Sequence, residues 1–186
     1  MADCNSLVGV PESCGDNNLG AIKRSIVADF ADVTAITVDD TGSAPDTDGT
    51  ITAVTMATTT KFEDFRFPKD TSMFTQDWVG DLVADTHSYS QSLEMGFRRI
   101  DLRKRNAIML LAEGRRNLIA FVQDFNDDWW ALGTDQGLRL NANSTTTNNT
   151  RAAGQAMPVT LFAENERHMM YKVDETIIDA LLIAAA

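Results

Sequence analysis

Short runs of β-branched and apolar residues, separated by polar turns, recur along most of the chain. Such a pattern is typical of antiparallel β-structure. In residues 84–97 a largely apolar set alternates with a polar one: Tyr89, Gln91, Leu93, Met95 and Phe97 against Ser88, Ser90, Ser92, Glu94 and Gly96. This repeat of two predicts a strand with one apolar and one polar face.

Two segments depart from the β pattern and predict helices. Residues 101–114 contain good helix formers at a helical spacing, with Ile108 on the apolar side. Asp101 is placed to cap the start of this helix, and Gly114 to end it. Near the C-terminus, Asp174 precedes a shorter helical pattern.

A run of strands around one central helix differs from the strand–helix alternation of a parallel α/β enzyme. We therefore expect a mainly β fold of the α+β class, a β-sandwich or barrel with one flanking helix. It should form a single domain over residues 20–183, preceded by an N-terminal arm over residues 1–19. Mobile loops are expected near residues 39–50 and 142–156, where small polar residues are concentrated.

Three aspartates, Asp124, Asp127 and Asp128, lie between the two apolar runs of the segment LIAFVQDFNDDWWALG (118–133). Asp and Asn favour turns because they tolerate positive φ and bond to their own backbone. A carboxylate pair for acid–base chemistry instead needs surroundings that separate the two pKa values, usually through burial. We interpret the segment as a hairpin whose carboxylates shape the turn.

Charge is distributed unevenly along the chain. The 186 residues carry a net charge of −11, which argues against nucleic-acid binding by phosphate neutralisation, because such binding depends on Lys and Arg. Residues 98–116 nevertheless contain seven basic and two acidic residues, a net charge of +5. This basic island is either a solvated helix face or a surface that meets the acidic surface of a neighbouring copy.

We favour self-assembly, because the concentration of basic residues in one segment needs an explanation. Of the adjacent Trp129 and Trp130, one is expected in the core and the other against a partner or an outer neighbour, since successive side chains of a strand point to opposite faces. The candidate interface residues are Arg98, Arg99, Arg103, Lys104, Arg105, Arg115, Arg116 and Trp129.

Catalytic and metal-binding motifs are weak. Asp40–Gly42 matches the Asp-Thr-Gly loop of aspartic proteases, but the chain has no second copy and no apolar strand directly before it. Residues 46–49 begin like a calcium loop, yet Ile51 and Ala57 stand where an EF-hand needs Gly and Glu. No cofactor or metal is expected.

The cellular compartment is predicted from the lack of a secretion signal and of a membrane-spanning segment. The N-terminus has no basic leader with a long apolar segment, and the apolar C-terminal tail is shorter than the roughly 20 residues of a membrane helix. We expect synthesis in a cytosol, with Cys4 and Cys14 as free thiols.

The order of elements resembles that of the tail tube proteins of tailed bacteriophages, particularly structural proteins from phages of Bacteroidetes hosts. The resemblance rests on the cysteine-bearing start, the strand YSQSLEMGFRRID, the helix LRKRNAIMLLAEG and the closing strand PVTLFAENERHMMYKVD. The hairpin matches the pattern of that group at Val122, Asp124, Asn126, Leu132, Gly133 and Gly137. Asp127 stands where many relatives have Gly.

The resemblance implies a virion protein of the tail, made in the host cytoplasm, with neither catalysis nor a cofactor. Similar proteins form hexameric rings whose inner strands join into a β-lined tube, and the rings stack through loops and terminal arms. DNA passes through the lumen without specific binding, and the partners are further copies and other tail or neck proteins. Segments 39–50 and 61–81 are expected as loops suited to contacts between rings, although residues 50–67 have strong β character.

Three alternatives stay open at this point. A neck or tail-completion protein would form a single ring. A small aspartic hydrolase would use Asp40, and a nucleic-acid-binding module would use Arg98–Arg105.

Overall fold

A computed structural model describes residues 20–39, 49–57, 60, 62–81, 86–98, 101–113, 116–145 and 156–184. The strands are β1 (Ile22–Asp29), β2 (Val33–Asp39), β3 (Thr50–Met56), β4 (Glu63–Arg66), β5 (Met73–Asp81), β6 (Thr86–Arg98), β7 (Leu118–Asp124), β8 (Trp129–Leu132), β9 (Arg139–Asn143), β10 (Ala156–Glu166) and β11 (Tyr171–Val173). The helices are α1 (Leu102–Glu113) and α2 (Glu175–Ala184). The mainly β fold expected from the sequence is confirmed. The predicted N-terminal arm and most of the two predicted mobile loops lie outside the described residues.

The strands form two sheets. Sheet A has the order β2-β3-β11-β8-β7-β1-β4, and sheet B has the order β5-β6-β10-β9. Strands β3 and β11 pair in parallel, whereas the other pairs in the described residues are antiparallel.

Sheet A cannot be flat, because β1 and β2 are consecutive in the chain but separated by four strands in the sheet. Neighbouring strands lie ~4.8 Å apart, so these two would be about 24 Å apart in a flat sheet. The 3₁₀ turn Phe30–Asp32 alone joins them, and four Cα steps span at most about 15 Å. Hydrogen bonds of 2.8 Å from Phe30 N to Asn117 O and from Ala57 N to Asp32 O hold this turn. Sheet A therefore curls into an open barrel that brings β2 back towards β1.

Two apolar clusters lie on the two faces of sheet A. Cluster 1 lies between the sheets, and cluster 2 lies within the curl of sheet A. Strand β7 contributes to both, with Leu118, Ala120 and Val122 in cluster 1 and Ile119 and Phe121 in cluster 2. Its uninterrupted apolar sequence follows from this burial on both faces.

Strand β6 confirms the predicted alternation in sheet B. Leu93, Met95 and Phe97 are buried in cluster 1, while Glu94 is exposed on the opposite face. Strand β6 therefore presents one apolar face to the core and one polar face outward.

Two predictions about segments are wrong. Residues 61–81, expected as a loop, contain β4, which agrees with the β character of residues 50–67, and β5, which the sequence pattern did not indicate. Pairing of β5 along its whole length with β6 compensates for the weak strand propensity of its Asp, Gly and Gln residues. The closing segment, expected as one strand, is divided between β10 in sheet B and β11 in sheet A, with a left-handed residue, Asn165 (φ 60°), at the end of β10.

Both predicted helices and their N-caps are confirmed. The Asp101 carboxylate accepts a hydrogen bond (2.9 Å) from the N–H of the third residue of α1, and Ile108 packs in cluster 1. The Asp174 carboxylate accepts one (2.8 Å) from the N–H of Thr176, and Ile178 of α2 packs in cluster 2. Gly114, the predicted end of α1, lies outside the described residues. Within the described ranges, the helices are too short or too polar to cross a bilayer.

Candidate self-assembly surfaces

The carboxylates of the β7–β8 hairpin bind the turn itself. Asp124 Oδ1 accepts hydrogen bonds from the backbone N–H groups of Asn126 (2.8 Å) and Asp128 (3.0 Å). Asp127 has a left-handed backbone (φ 68°), and its Oδ1 lies 2.7 Å from Lys23 Nζ. The predicted hairpin is confirmed, and its acids serve as turn acceptors and ion-pair partners. A glycine would suit position 127, because left-handed backbone strains most residues with a Cβ.

The described members of the basic island lie at the end of β6, on α1 and beside the end of β1. Arg98, at the end of β6, is exposed, and Lys104 lies 3.4 Å from Asp101 and donates (2.9 Å) to the carbonyl of Arg98. Arg116 pairs with Asp29 at 3.2 Å. Arg98 and Lys104 are therefore close together, and Lys104 and Arg116 contribute to local structure.

Arg105 differs from Lys104 and Arg116. It is exposed on α1, it donates to the side chain of Asn106 (3.3 Å), and it makes no ion pair with any described residue. Arg103 lies on α1, and Arg99 and Arg115 lie outside the described residues.

Trp129 does not fit its predicted role at a subunit interface. Its side chain is only 2% exposed, lies in cluster 2, and has the Arg24 guanidinium 5.7 Å from its ring centre. Alternation along β8 places Trp130 on the other face, where it packs half-buried against cluster 1. Both tryptophans of this hairpin are thus used within the fold. The exposed tryptophan is Trp78 of β5, at 59%.

Sheet B has two edges without a strand partner in the described part of the chain, namely the outer sides of β5 and β9. Strands β5, β6, β10 and β9 alternate in direction because each pair is antiparallel. With four strands, the two edge strands run in opposite directions. Two copies side by side could therefore join β9 of one copy to β5 of the next in an antiparallel pair.

The outward face of sheet B carries hydroxyl and acidic side chains together with the exposed apolar Met73 and Val79. Cross-strand partners place Thr75 beside Ser92, Asp77 beside Ser90, and Thr160 beside Glu94. Alternation adds Ser88, Phe162 and Glu164 to this face, with Arg98 at the end of β6 and Arg139 on the edge strand β9. A surface that holds a phosphate backbone needs clustered basic residues. The two arginines on this face lie apart on β6 and β9.

Sequence reasoning missed a set of buried polar side chains that connects the sheets. Gln91 is fully buried, and its Oε1 accepts a hydrogen bond (2.8 Å) from the N–H of Gly133. Glu166 is also fully buried, and its two oxygens accept from the N–H groups of Asp135 (2.8 Å) and Gln136 (2.9 Å). Burial raises the pKa of Glu166, while these backbone hydrogen bonds oppose the rise. Alternation along β6 places Gln91 on the inward face, but nothing local in the sequence indicates burial of Glu166.

No family model matches the chain, and no curated protein is significantly similar to it. Among the described residues, no group of three or more His, Cys, Asp or Glu side chains is arranged to hold a metal ion. Asp40, the residue of the hydrolase alternative, lies outside the described residues. The features that indicate a function are therefore the open edges and exposed faces.

Proposed function

We propose that this protein is a structural subunit of a bacteriophage tail tube, which forms stacked, hexameric rings around a conduit for DNA. In this proposal sheet B lines the bore, and the protein performs no chemistry. The observation that carries it is the four-stranded antiparallel sheet B, with two open edges that run in opposite directions.

Ring closure follows from the strand directions. If β9 of each copy pairs with β5 of the next, the contact is head-to-tail, and a closed ring covers both open edges of sheet B. Closure also removes the exposed backbone groups that make edge strands prone to aggregation. The same joining in an odd-stranded antiparallel sheet would require parallel pairing at each boundary. The even strand number of sheet B supports a repeated antiparallel wall.

The outward face of sheet B supports its place at the bore. Phe162 and short hydroxyl side chains lie at its centre, and its acids, Asp77, Glu94 and Glu164, outnumber its arginines, Arg98 and Arg139. Phosphate contacts that retain DNA depend on clustered Lys and Arg. A surface of this composition lets a polyanion pass with little retention, in keeping with the net charge of −11.

Electron microscopy of the purified protein at rising concentration tests the proposal. Long hollow filaments are the expected result, and single rings that never stack would favour a neck or tail-completion protein. A protein that stays monomeric at every concentration would contradict both.

The hydrolase alternative needs its own control. Replacing Asp40 with Asn should leave filament formation intact. Loss of a hydrolytic activity in that variant would instead identify an enzyme.

A further inference from the structure

We infer that α1 of one copy binds in a groove between β3 and α2 of a second copy. This inference rests on the proposed self-assembly and names one contact between copies. It combines an exposed apolar stripe, an apolar groove and complementary charges on the same molecule.

The groove lies beside the part of β3 that extends beyond its short pairing with β11. Strand β11 pairs with β3 only at Thr50 and Ile51, so the rest of β3 faces α2 without a strand between them. The resulting cavity has a volume of about 460 Å³. Its apolar lining includes Val54, Met56, Phe62, Ile177 and Leu181. Pockets of about 300–1,000 Å³ accept drug-sized ligands, so two aliphatic side chains fit this one.

The apolar stripe lies on the outer side of α1. Leu102 is 70% exposed and Met109 is 37% exposed, although both are large apolar side chains. Together with Arg105 they occupy positions i, i+3 and i+7, which share one face of a helix. Helices that bind in grooves use this spacing for their anchoring side chains.

Charges on the two surfaces are complementary. Glu175 and Asp179 are exposed on α2, next in sequence to the groove residues Thr176 and Ala180. Neither acid makes an ion pair with a residue in the described ranges, and neither does Arg105. Burying Leu102 and Met109 in the groove would bring Arg105 towards these acids.

The occupant must be a second copy rather than the chain's own helix. Ile108 fixes α1 against cluster 1, whereas Ile178 fixes α2 against cluster 2 on the other face of sheet A. A contact between two different surfaces of identical copies repeats from copy to copy. The contact can therefore extend an assembly, in addition to pairing at the edges of sheet B.

Charge exchange tests the contact. Arg105→Glu and Asp179→Arg should each weaken self-association at least about tenfold in sedimentation velocity, because each places like charges opposite one another. An equimolar mixture of the two variants should associate again, since each supplies the surface that the other lacks. The double variant Arg105→Glu/Asp179→Arg should also recover. Arg66→Glu, on the exposed surface of β4, is the charge-matched control and should leave association unchanged.

The outcomes show separately whether the proposed contact and the tail tube proposal hold. If both single variants assemble as the unchanged protein does, or the mixture fails to recover, this contact is wrong while the tube proposal stands. If charge exchange restores association but microscopy shows no tubes, the contact is right and the tube is wrong. An unchanged protein that never associates overturns both.

Discussion

At the residue scale, the carboxylate of Asp124 stabilises the β7–β8 turn by accepting two backbone hydrogen bonds. Asp124→Ala leaves these N–H groups without their acceptor, and we expect it to lower the free energy of unfolding by about 1–3 kcal/mol. Asp127→Gly is the matched control, because glycine favours left-handed backbone and the lost ion pair is exposed. It should change stability by less than about 1 kcal/mol. Urea denaturation measures both, and an inert Asp124→Ala would contradict the assigned role.

Gln91 has a comparable role inside the fold. Gln91→Leu preserves much of the side-chain volume but removes the acceptor of the buried Gly133 N–H. We expect a loss of about 1–3 kcal/mol in the free energy of unfolding, measured by chemical denaturation. Ser25→Ala is the control in which no hydrogen bond is lost, because the buried Ser25 hydroxyl has no hydrogen-bond partner in the described structure. That variant should be neutral or stabilising, and equal losses from both would contradict the argument.

Glu166 predicts a pH dependence of stability. Its folded pKa is raised above the ordinary value of 4.5, so the folded protein holds this proton more tightly than the unfolded chain. The contribution of Glu166 to stability is therefore fully present below pH 4.5 and is lost as pH rises through the folded pKa. Glu166→Gln does not titrate, so its deficit relative to the unchanged protein should shrink as pH rises through this window. Denaturation from pH 4 to pH 8 measures the difference, and a deficit that grows with pH would show that the folded protein favours the charged form.

At the scale of elements, β8 joins the two clusters through alternate side chains. Leu132 is fully buried in cluster 1, whereas Trp130 is half-buried at the margin of that cluster. We expect Leu132→Ala to reduce the free energy of unfolding by about 2–5 kcal/mol, through lost burial and a residual cavity. Trp130→Ala should cost less than Leu132→Ala, because part of the Trp130 ring already contacts solvent whereas Leu132 is fully buried. Thermal denaturation ranks the two, and the reverse order would contradict the assigned packing of β8.

Periodicity and capping signals predicted individual elements well, because these signals are local. The alternation in β6 and the caps Asp101 and Asp174 depend on residues a few positions apart. Prediction failed for β5, whose strand state depends on pairing with β6, and for the division between β10 and β11. It also failed for Trp129, because alternation separates two adjacent side chains without telling which face is covered. In this fold both faces are covered.

At the scale of the whole molecule, the short link between β1 and β2 forces sheet A to curl, whereas the order of sheet B contains no such short link between distant strands. No local pattern predicts this, since strand order depends on contacts between residues far apart in the chain. The candidate surfaces follow from that order. The basic island was found from the sequence, but only the structure separates Arg105 from Lys104 and Arg116, which already form ion pairs within the chain.

Paired cysteines test the edge-to-edge ring directly. Asn141→Cys on β9 is combined in turn with Met73→Cys, Thr75→Cys or Asp77→Cys on β5, in a chain whose Cys4 and Cys14 are replaced by Ser. Within one chain β5 and β9 are separated by β6 and β10, about 14 Å, beyond the 4.4–6.8 Å between Cα atoms that a disulfide spans. Cross-links can therefore form only between copies.

The size of the cross-linked products distinguishes the possible modes of assembly. Head-to-tail pairing predicts, for at least one of the three positions, a ladder of covalent oligomers in a denaturing gel, ending at six if the ring is hexameric. A ladder ends because closure uses both edges of sheet B in every copy, whereas a contact that only stacks copies has no such limit. Arg66→Cys on β4, in place of the β5 cysteine, is the control and should give no ladder. Products that stop at the dimer would indicate a symmetric contact and exclude the proposed ring, as would the absence of cross-links at all three positions.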